Sequence, residues 1–234
     1  MSIKSLTQIP VLEAQATLPT IFGQFVIRGY RCLNKKSIVL LKGNIKGGEE
    51  VLTRIQSSCL FGESFHAINC DCNWQIMSSL RRISMHNNGG IFIYLFQEGR
   101  GIGIFKKINA LGIQQQDNCD TVDAFAKMGY KENDFRTYDV AAAILKSEEV
   151  QSVKLLTNNS RKTDSLLQYG IPTTRVPLEI EEEDIKKLIA QLSIDDIDTL
   201  IHYLISKREK LGHSISNTLA QKFLVHLRST RSIK

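Results

Sequence analysis

The stretch IFIYLFQEGRGIGIFKKINALGIQQQ, from Ile91 to Gln116, decides the architecture of the chain. IFIYLF is a short, unbroken apolar run with the aromatic and β-branched content of a buried strand. It passes into QEGRGIGI, where Gly99, Gly101 and Gly103 break the strand, and then into a longer segment that reads as a helix. A strand that turns through glycines directly into a helix is the beginning of an α/β unit. The alternation continues downstream: DTVDAFAKMGY reads as a helix stopped at Gly129, Tyr138 to Lys146 as another, VKLLT as a short buried strand, and SRKTDSLLQYG as a helix ending at Gly170. Upstream, NWQIMSSLRRISMHNNGG places Trp74, Met77, Leu80 and Ile83 at three-residue steps along one helix face. Before it, FGQFVIRGYRC, SIVLLKG and EEVLTRIQ read as strands separated by Gly and Asn turns. The pattern predicts an α/β (α+β) fold, a mixed sheet with flanking helices, more purely β before residue 70.

Composition narrows the partners. With 234 residues, 42% hydrophobic and 23% charged, the chain has the apolar mass for a core and too few charges for disorder. It contains no run of about 18 apolar residues, and MSIKSLTQIPVLEAQ at its start lacks the apolar stretch of a signal peptide. A soluble, cytoplasmic protein is therefore expected. A net charge of +6 and a pI near 9.0 favour anionic partners, a nucleotide as readily as a nucleic acid. After Val176-Pro177-Leu178 the composition shifts, acidic over 179–200 and basic beyond, which predicts a domain over 1–178 and a helical extension over 179–234. Ile185, Leu188, Ile189 and Leu192 outline one amphipathic helix. Ile197, Leu200, Ile201 and Leu204 outline a second, with Ser193 as its N-cap. A cap on the domain, or on a second subunit, is the expected role of this extension.

Five cysteines, an odd number without a secretory signal, argue for reduced thiols. Cys59, Cys70 and Cys72 form a C-x10-C-x-C cluster whose loop contains Gly62. Three thiolates could hold one zinc ion and leave a fourth position for water, the arrangement of a catalytic site. The same spacing also suits ordinary small core residues, and His66 could close the site as a fourth ligand. In the glycine-rich turn the backbone can approach a phosphate or a base, and Glu98 can accept from the N1–H and N2–H donors of guanine. The turn lacks the full G-x-G-x-x-G and the Walker lysine, so neither a Rossmann site nor a P-loop is expected. Two polar clusters complete the picture: Asp134 and Arg136 in NDFRTY, and Thr157 to Lys162 directly after a buried strand, where α/β ligand sites form, although either by itself also reads as a surface turn.

In order along the chain, RIQSSCLFGE, CDCNWQ, YLFQEGRGIG, KINA, DTVDA, MGY, DFRTY, KLLTNNSRK and GIPTTRVPL resemble the GTP cyclohydrolase II family, zinc enzymes that open the imidazole ring of GTP at the start of riboflavin synthesis. EAQATLPTIFGQFVIRGY is similar to the family's opening strand and EKLGH, Glu209 to His213, to its C-terminal end, so the resemblance covers about residues 13 to 178 and one later segment. It implies zinc on Cys59, Cys70 and Cys72, with no ligand role for His66. It implies GTP contacts at Arg54, Ser57, Gln75, Glu98, Gly99, Arg100, Thr121, Thr157 and Lys162. Gln75 and Glu98 suit the guanine edge, and Arg54, Arg100 and Lys162 the triphosphate with its Mg²⁺. Asp134 and Arg136 fall at the family's general base and nucleophile positions. A guanidinium with a pKa above about 12 is better suited to stabilising charge on the α-phosphate than to free attack on phosphorus. The implied reaction is hydrolytic attack at C8, opening to a formylamino pyrimidine, then release of formate, with separate release of pyrophosphate; the implied assembly is a homodimer.

Five positions depart from the family pattern. Gln56 and Ser58 stand where it has His and Glu, Asn69 where it has Arg, Leu111 where it has a Tyr that assists catalysis, and Phe125 where it has Asn. These changes leave the metal ligands and most GTP contacts intact, so binding should outlast full turnover. Loss of a phenol at Leu111 predicts a reaction that stalls at the formylamino product. The alternative is a catalytically impaired GTP-binding or regulatory descendant. Nucleic-acid binding, which rests only on charge, is not expected.

Overall fold

Two sequence patterns meet at one strand of the computed structural model, which describes residues 3–6, 9–178 and 194–211. Strands β1 (Val11–Thr20), β2 (Gly23–Cys32) and β3 (Lys35–Lys42) form an antiparallel meander joined by tight turns, with Thr20 opposite Gly23 and Cys32 opposite Lys35. Strand β3 pairs antiparallel with β5 (Gly90–Leu95). From β5 onward the sheet is parallel through β4 (Val51–Ser57), β6 (Val153–Leu156) and β7 (Thr173–Val176), giving the order β1-β2-β3-β5-β4-β6-β7.

Parallel neighbours require crossovers, and the helices supply them. Helices α1 (Leu60–Glu63) and α2 (Cys72–Met85) connect β4 to β5. Helices α3 (Ile104–Asp117), α4 (Thr121–Lys127) and α5 (Asp139–Ser147) connect β5 to β6, and α6 (Ser160–Gln168) connects β6 to β7. Every residue of β4 is buried, as befits a central parallel strand covered on both faces. On one face Ile55, Ile91, Ile93 and Leu155 pack against Ala141, Ile144 and Leu145 of α5 and Leu166 of α6. On the other, Leu80 and Ile83 of α2 meet Leu52, Phe92 and Leu156. Side chains alternate along a strand, so Arg54 and Gln56 share the α2 side with Leu52 and carry polar groups to its upper end.

The mixed sheet with flanking helices agrees with the sequence pattern, and Leu80 and Ile83 of the helical stripe are buried as expected. Three strands and helices were not foreseen as elements of their own: α1 and β7, each four residues long, are too short to display a period, and β1, covered only as part of an opening strand running on into β2, is exposed along most of its length and shows no buried face. The helix expected near Ser193 runs from Ile194 to Leu211 with Ile197, Leu200 and Leu204 buried. The helix expected over 185–192, and Ser193 itself, lie outside the described residues.

Glu148, at the end of α5, ties that helix to the meander. Its carboxylate accepts from Arg28 Nη1 at 2.8 and 2.6 Å and from the Tyr30 hydroxyl. Burial, aided by the neighbouring carboxylate, pushes the Tyr30 hydroxyl up to about 12. Replacing Glu148→Gln should cost about 1–3 kcal/mol by weakening bonds to a charged acceptor, read as a lower urea midpoint at neutral pH. An unchanged midpoint would contradict this role.

Candidate active site

The parallel strands β4, β5 and β6 all finish at one edge of the sheet, and the loops that leave them surround a single cleft. Such an edge is where open α/β sheets bind ligands. Strand β4 ends at Ser57, Cys59 precedes the one-turn α1, and the chain returns through Cys70 to Cys72, the first residue of α2. The three sulfurs lie within 4.8 Å of one another, with Cys59 and Cys70 3.8 Å apart. Gly62 makes this possible, since a Cβ there would lie 2.4 Å from the Cys70 sulfur and 3.0 Å from the Cys72 Cβ.

The sulfur spacing fits zinc. Tetrahedral geometry with bonds of about 2.3 Å sets sulfurs about 3.8 Å apart. Bonds from Cys70 and Cys72, helped by the Lys107 ammonium, pull the Cys59 thiol far down, while its charge pushes Cys70 up to about 12 and Cys72 well up. Three adjacent thiols cannot all ionise against one another, and a soft dication would relieve that repulsion. His66 does not belong to the trio; its ring meets the Asn73 amide at 2.8 Å.

Glu98 fastens the glycine-rich turn to this loop. One carboxylate oxygen accepts from Lys107 at 2.6 Å and from the Gly99 N–H, the other from the Leu60 N–H at 2.8 Å. Lys107 also reaches the Cys59 sulfur at 3.1 Å. On the far side of the turn, Gly101 has φ +93°, and a Cβ there would sit 3.0 Å from the Phe135 backbone. Arg100 adopts φ +56° and its carbonyl accepts the Phe135 N–H at 2.9 Å. The turn and the 134–136 segment thus form one unit that presents Arg136 to the cleft.

Cations dominate the remaining wall. Arg54 is 2% exposed, yet among the described residues its guanidinium donates only to neutral acceptors: the amide oxygens of Gln56 and Gln75 and the Leu156 carbonyl at 2.8 Å. Burial draws its pKa down to about 10. Lys162, 5% exposed, donates to the Ile55 carbonyl at 2.7 Å, and burial with the like charges of Arg54 and Arg136 pushes its pKa well down. Arg100 lies over the Phe125 ring, 5.4 Å from its centroid. The Ser57 hydroxyl in the same wall is buried without a hydrogen-bond partner among the described residues. Buried charges and an orphaned donor are costly alone and are the expected lining of a site that receives an anion.

All nine residues expected at GTP line this cleft, as do the three cysteines and Arg136. Thr121 donates to the Gln114 amide at 3.2 Å and Thr157 caps the Asn159 N–H at 3.0 Å. Asp134 is not in the lining: it grips Arg136 from behind at 2.8 and 2.7 Å. Burial would raise its carboxyl, but the Arg136 guanidinium overrides this and holds it below the usual range. The departures Gln56, Ser58, Asn69, Leu111 and Phe125 all line the cleft too. Sequence reasoning missed Lys107, Tyr203 and Lys207 there. A signal for the last two exists, because Leu200, Tyr203 and Lys207 follow one another at i, i+3 and i+7 along one helix stripe.

A mixed α/β sheet whose strand ends carry three grouped thiols and unanswered cations belongs to the ligand-binding α/β class, and sequence comparison refines the class. The chain belongs to the GTP cyclohydrolase II family, which it matches over residues 12–177. It is 37% identical to the GTP cyclohydrolase-2 of Actinobacillus succinogenes over 90% of each chain. It is also 37% identical to the riboflavin biosynthesis protein RibBA of Chlorobium phaeovibrioides, over 86% of this chain and 46% of the relative. To the RibBA of Bacillus subtilis it is 38% identical, over 85% of this chain and 50% of the relative. The chain thus spans about half the length of the RibBA relatives it matches.

Gly62→Ala should therefore force the sulfurs apart. Loaded with zinc and dialysed beside the parent protein, the variant is expected to retain much less of it, measured by atomic absorption, while its far-ultraviolet circular dichroism stays native. Zinc content equal to that of the parent protein would refute the packing argument.

Proposed function

We propose that the protein hydrolyses GTP, opening the imidazole ring and releasing pyrophosphate, with formate released when the reaction runs to completion. The observation that carries this reading is the pairing, in one cleft, of a three-thiol group spaced for zinc with buried cations that have only neutral partners. Such cations suit a triphosphate, since each charge-assisted bond to an incoming phosphate answers a charge that burial has left uncompensated. Zinc, held by Cys59, Cys70 and Cys72, would supply the Lewis acidity that makes water a competent nucleophile near neutral pH.

The residues divide the work. Gln75 and Glu98 face the guanine edge, and the second oxygen of Glu98, which accepts only the Leu60 N–H, has a lone pair left for an imino proton. Arg54, Arg100 and Lys162 bind the phosphates, joined by the Ser57 hydroxyl, while Gly99, Thr121 and Thr157 shape the walls. Arg136, held in place by Asp134, stabilises charge on the α-phosphate as pyrophosphate departs. On this reading Asp134 is a positioning residue. Glu98 is the one carboxylate among the described lining residues and is already tied to Lys107, so Mg²⁺ would enter with the triphosphate as part of the substrate. The reading extends to a cytoplasmic homodimer that acts in riboflavin synthesis, the pathway for which the RibBA relatives are named. Sedimentation velocity tests the dimer.

The decisive experiment incubates zinc-loaded protein with GTP and Mg²⁺ and separates nucleotides, pyrophosphate and formate by chromatography and mass spectrometry. Diaminopyrimidine with formate is the expected result of a complete reaction, and a formylamino product without formate marks a stalled one. GTP recovered unchanged from the protein would favour the regulatory descendant, which Leu111 and Gln56 in the lining support. Lys162→Met should weaken GTP binding roughly tenfold or more, the worth of one bond to a charged group. Because the free pocket disfavours charged Lys162 and a phosphate favours it, GTP binding should take up a proton and weaken as the pH rises. Calorimetry in buffers of different ionisation enthalpy reads that proton directly.

A further inference from the structure

The 194–211 helix reaches the cleft from a distant part of the sequence and is fixed there at two points. Lys207, 8% exposed, donates to both oxygens of Asp71 at 2.8 and 3.1 Å, and Asp71 stands between two of the thiols in sequence. Lys210 reaches Asp120 at 2.6 Å and Asp123 at 2.9 Å at the start of α4. Between these anchors and the buried Leu200 and Leu204, Tyr203 is turned into the cleft, with the Lys207 ammonium over its ring 5.2 Å from the centroid.

Ring opening needs a proton at the nitrogen that leaves C8, and the lining holds few groups able to give one. The cations there are required as charges. Glu98 already accepts from Lys107 and two backbone N–H groups. Leu111 has no proton to offer. Among the described lining residues Tyr203 is the one phenol. Desolvation, together with the negative charge of Asp71 and the neighbouring cysteines, keeps its hydroxyl protonated.

We propose that Tyr203 is a catalytic residue of this protein, the donor that protonates the departing imidazole nitrogen, and that Lys207 and Asp71 hold it in position. A water oxygen bonds to C8, the C8–N bond breaks, and its electron pair stays on nitrogen. That nitrogen takes the Tyr203 proton; of the two protons of the attacking water, one passes to the ring nitrogen that stays on C8 and the other restores the phenol as the C8 oxygen becomes the formyl carbonyl, so one water is consumed. This inference rests on the GTP-hydrolase reading above.

The test compares Tyr203→Phe, which keeps the ring and removes one oxygen, with the parent protein, both zinc-loaded. Turnover of GTP should fall about a hundredfold or more, the usual worth of a general acid. GTP affinity by calorimetry, KM and zinc content should stay within about twofold, since the lost interaction belongs to the transition state. Adding Leu111→Tyr to the Phe variant should restore part of the turnover by offering a phenol from α3. In the parent protein, amide exchange over 194–211 should slow when GTP binds. Turnover by Tyr203→Phe equal to the parent's would overturn the Tyr203 assignment and leave the GTP-hydrolase reading standing, as would a loss confined to GTP affinity. A parent protein that binds GTP and never converts it would overturn both.

Discussion

The Arg54 guanidinium, buried midway along the central strand and hydrogen-bonded, among the described residues, to neutral acceptors alone, is the constraint around which this molecule is arranged. Its three kinds of acceptor belong to three elements: Gln56 on its own strand, Gln75 on α2 and the Leu156 carbonyl on β6. One charged side chain thus sets the relative position of the helix that begins at Cys72, one of the three grouped thiols, and the strand that leads to the Thr157 loop. A glutamate at position 56 would neutralise the charge and could stabilise the fold. The amide found there satisfies the donors and leaves the charge in force, a local sacrifice of stability typical of functional clefts.

Charge of both signs is then sorted across a short span. The thiols gather on the loop side and the cations on the strand side, with Lys107 shared between the Cys59 sulfur and Glu98 at the border. Lys107 is held above its ordinary range, because the Cys59 and Glu98 charges outweigh the burial that lowers it. Low local dielectric strengthens every one of these interactions, so small displacements of the loop would alter the field that a ligand meets. The glycines at 62 and 101 permit two close approaches beside the cleft, one inside the cysteine loop and one between the turn and the 134–136 segment.

Much of this was legible in the sequence, and the reasons differ by feature. The strand-to-glycine-to-helix passage at 91–116 and the Leu80 and Ile83 stripe are local patterns, and local patterns survive folding. The cysteine trio and the polar residues after β4, β5 and β6 could be named from motifs, because strand ends converge wherever parallel strands share an edge. Asp134 was legible as a member of one polar cluster with Arg136 but not as the residue that grips it from behind, since spacing along a loop carries no information about depth. The antiparallel junction of β3 with β5 and the insertion of Tyr203 and Lys207 into the cleft depend on contacts far apart in the chain. No periodicity within one segment encodes those.

The Lys207–Asp71 pair joins residues 136 positions apart. At a ribosomal rate of about 5–20 residues per second, the intervening chain takes roughly ten seconds to emerge. Through that interval Asp71 has no Lys207, and the cysteine loop stands without the helix that later covers it. The nascent chain therefore passes through a stage in which the thiols are reachable from solvent on one more side than in the finished fold. Assembly of the thiol loop and closure of the pocket over it become separate events in time.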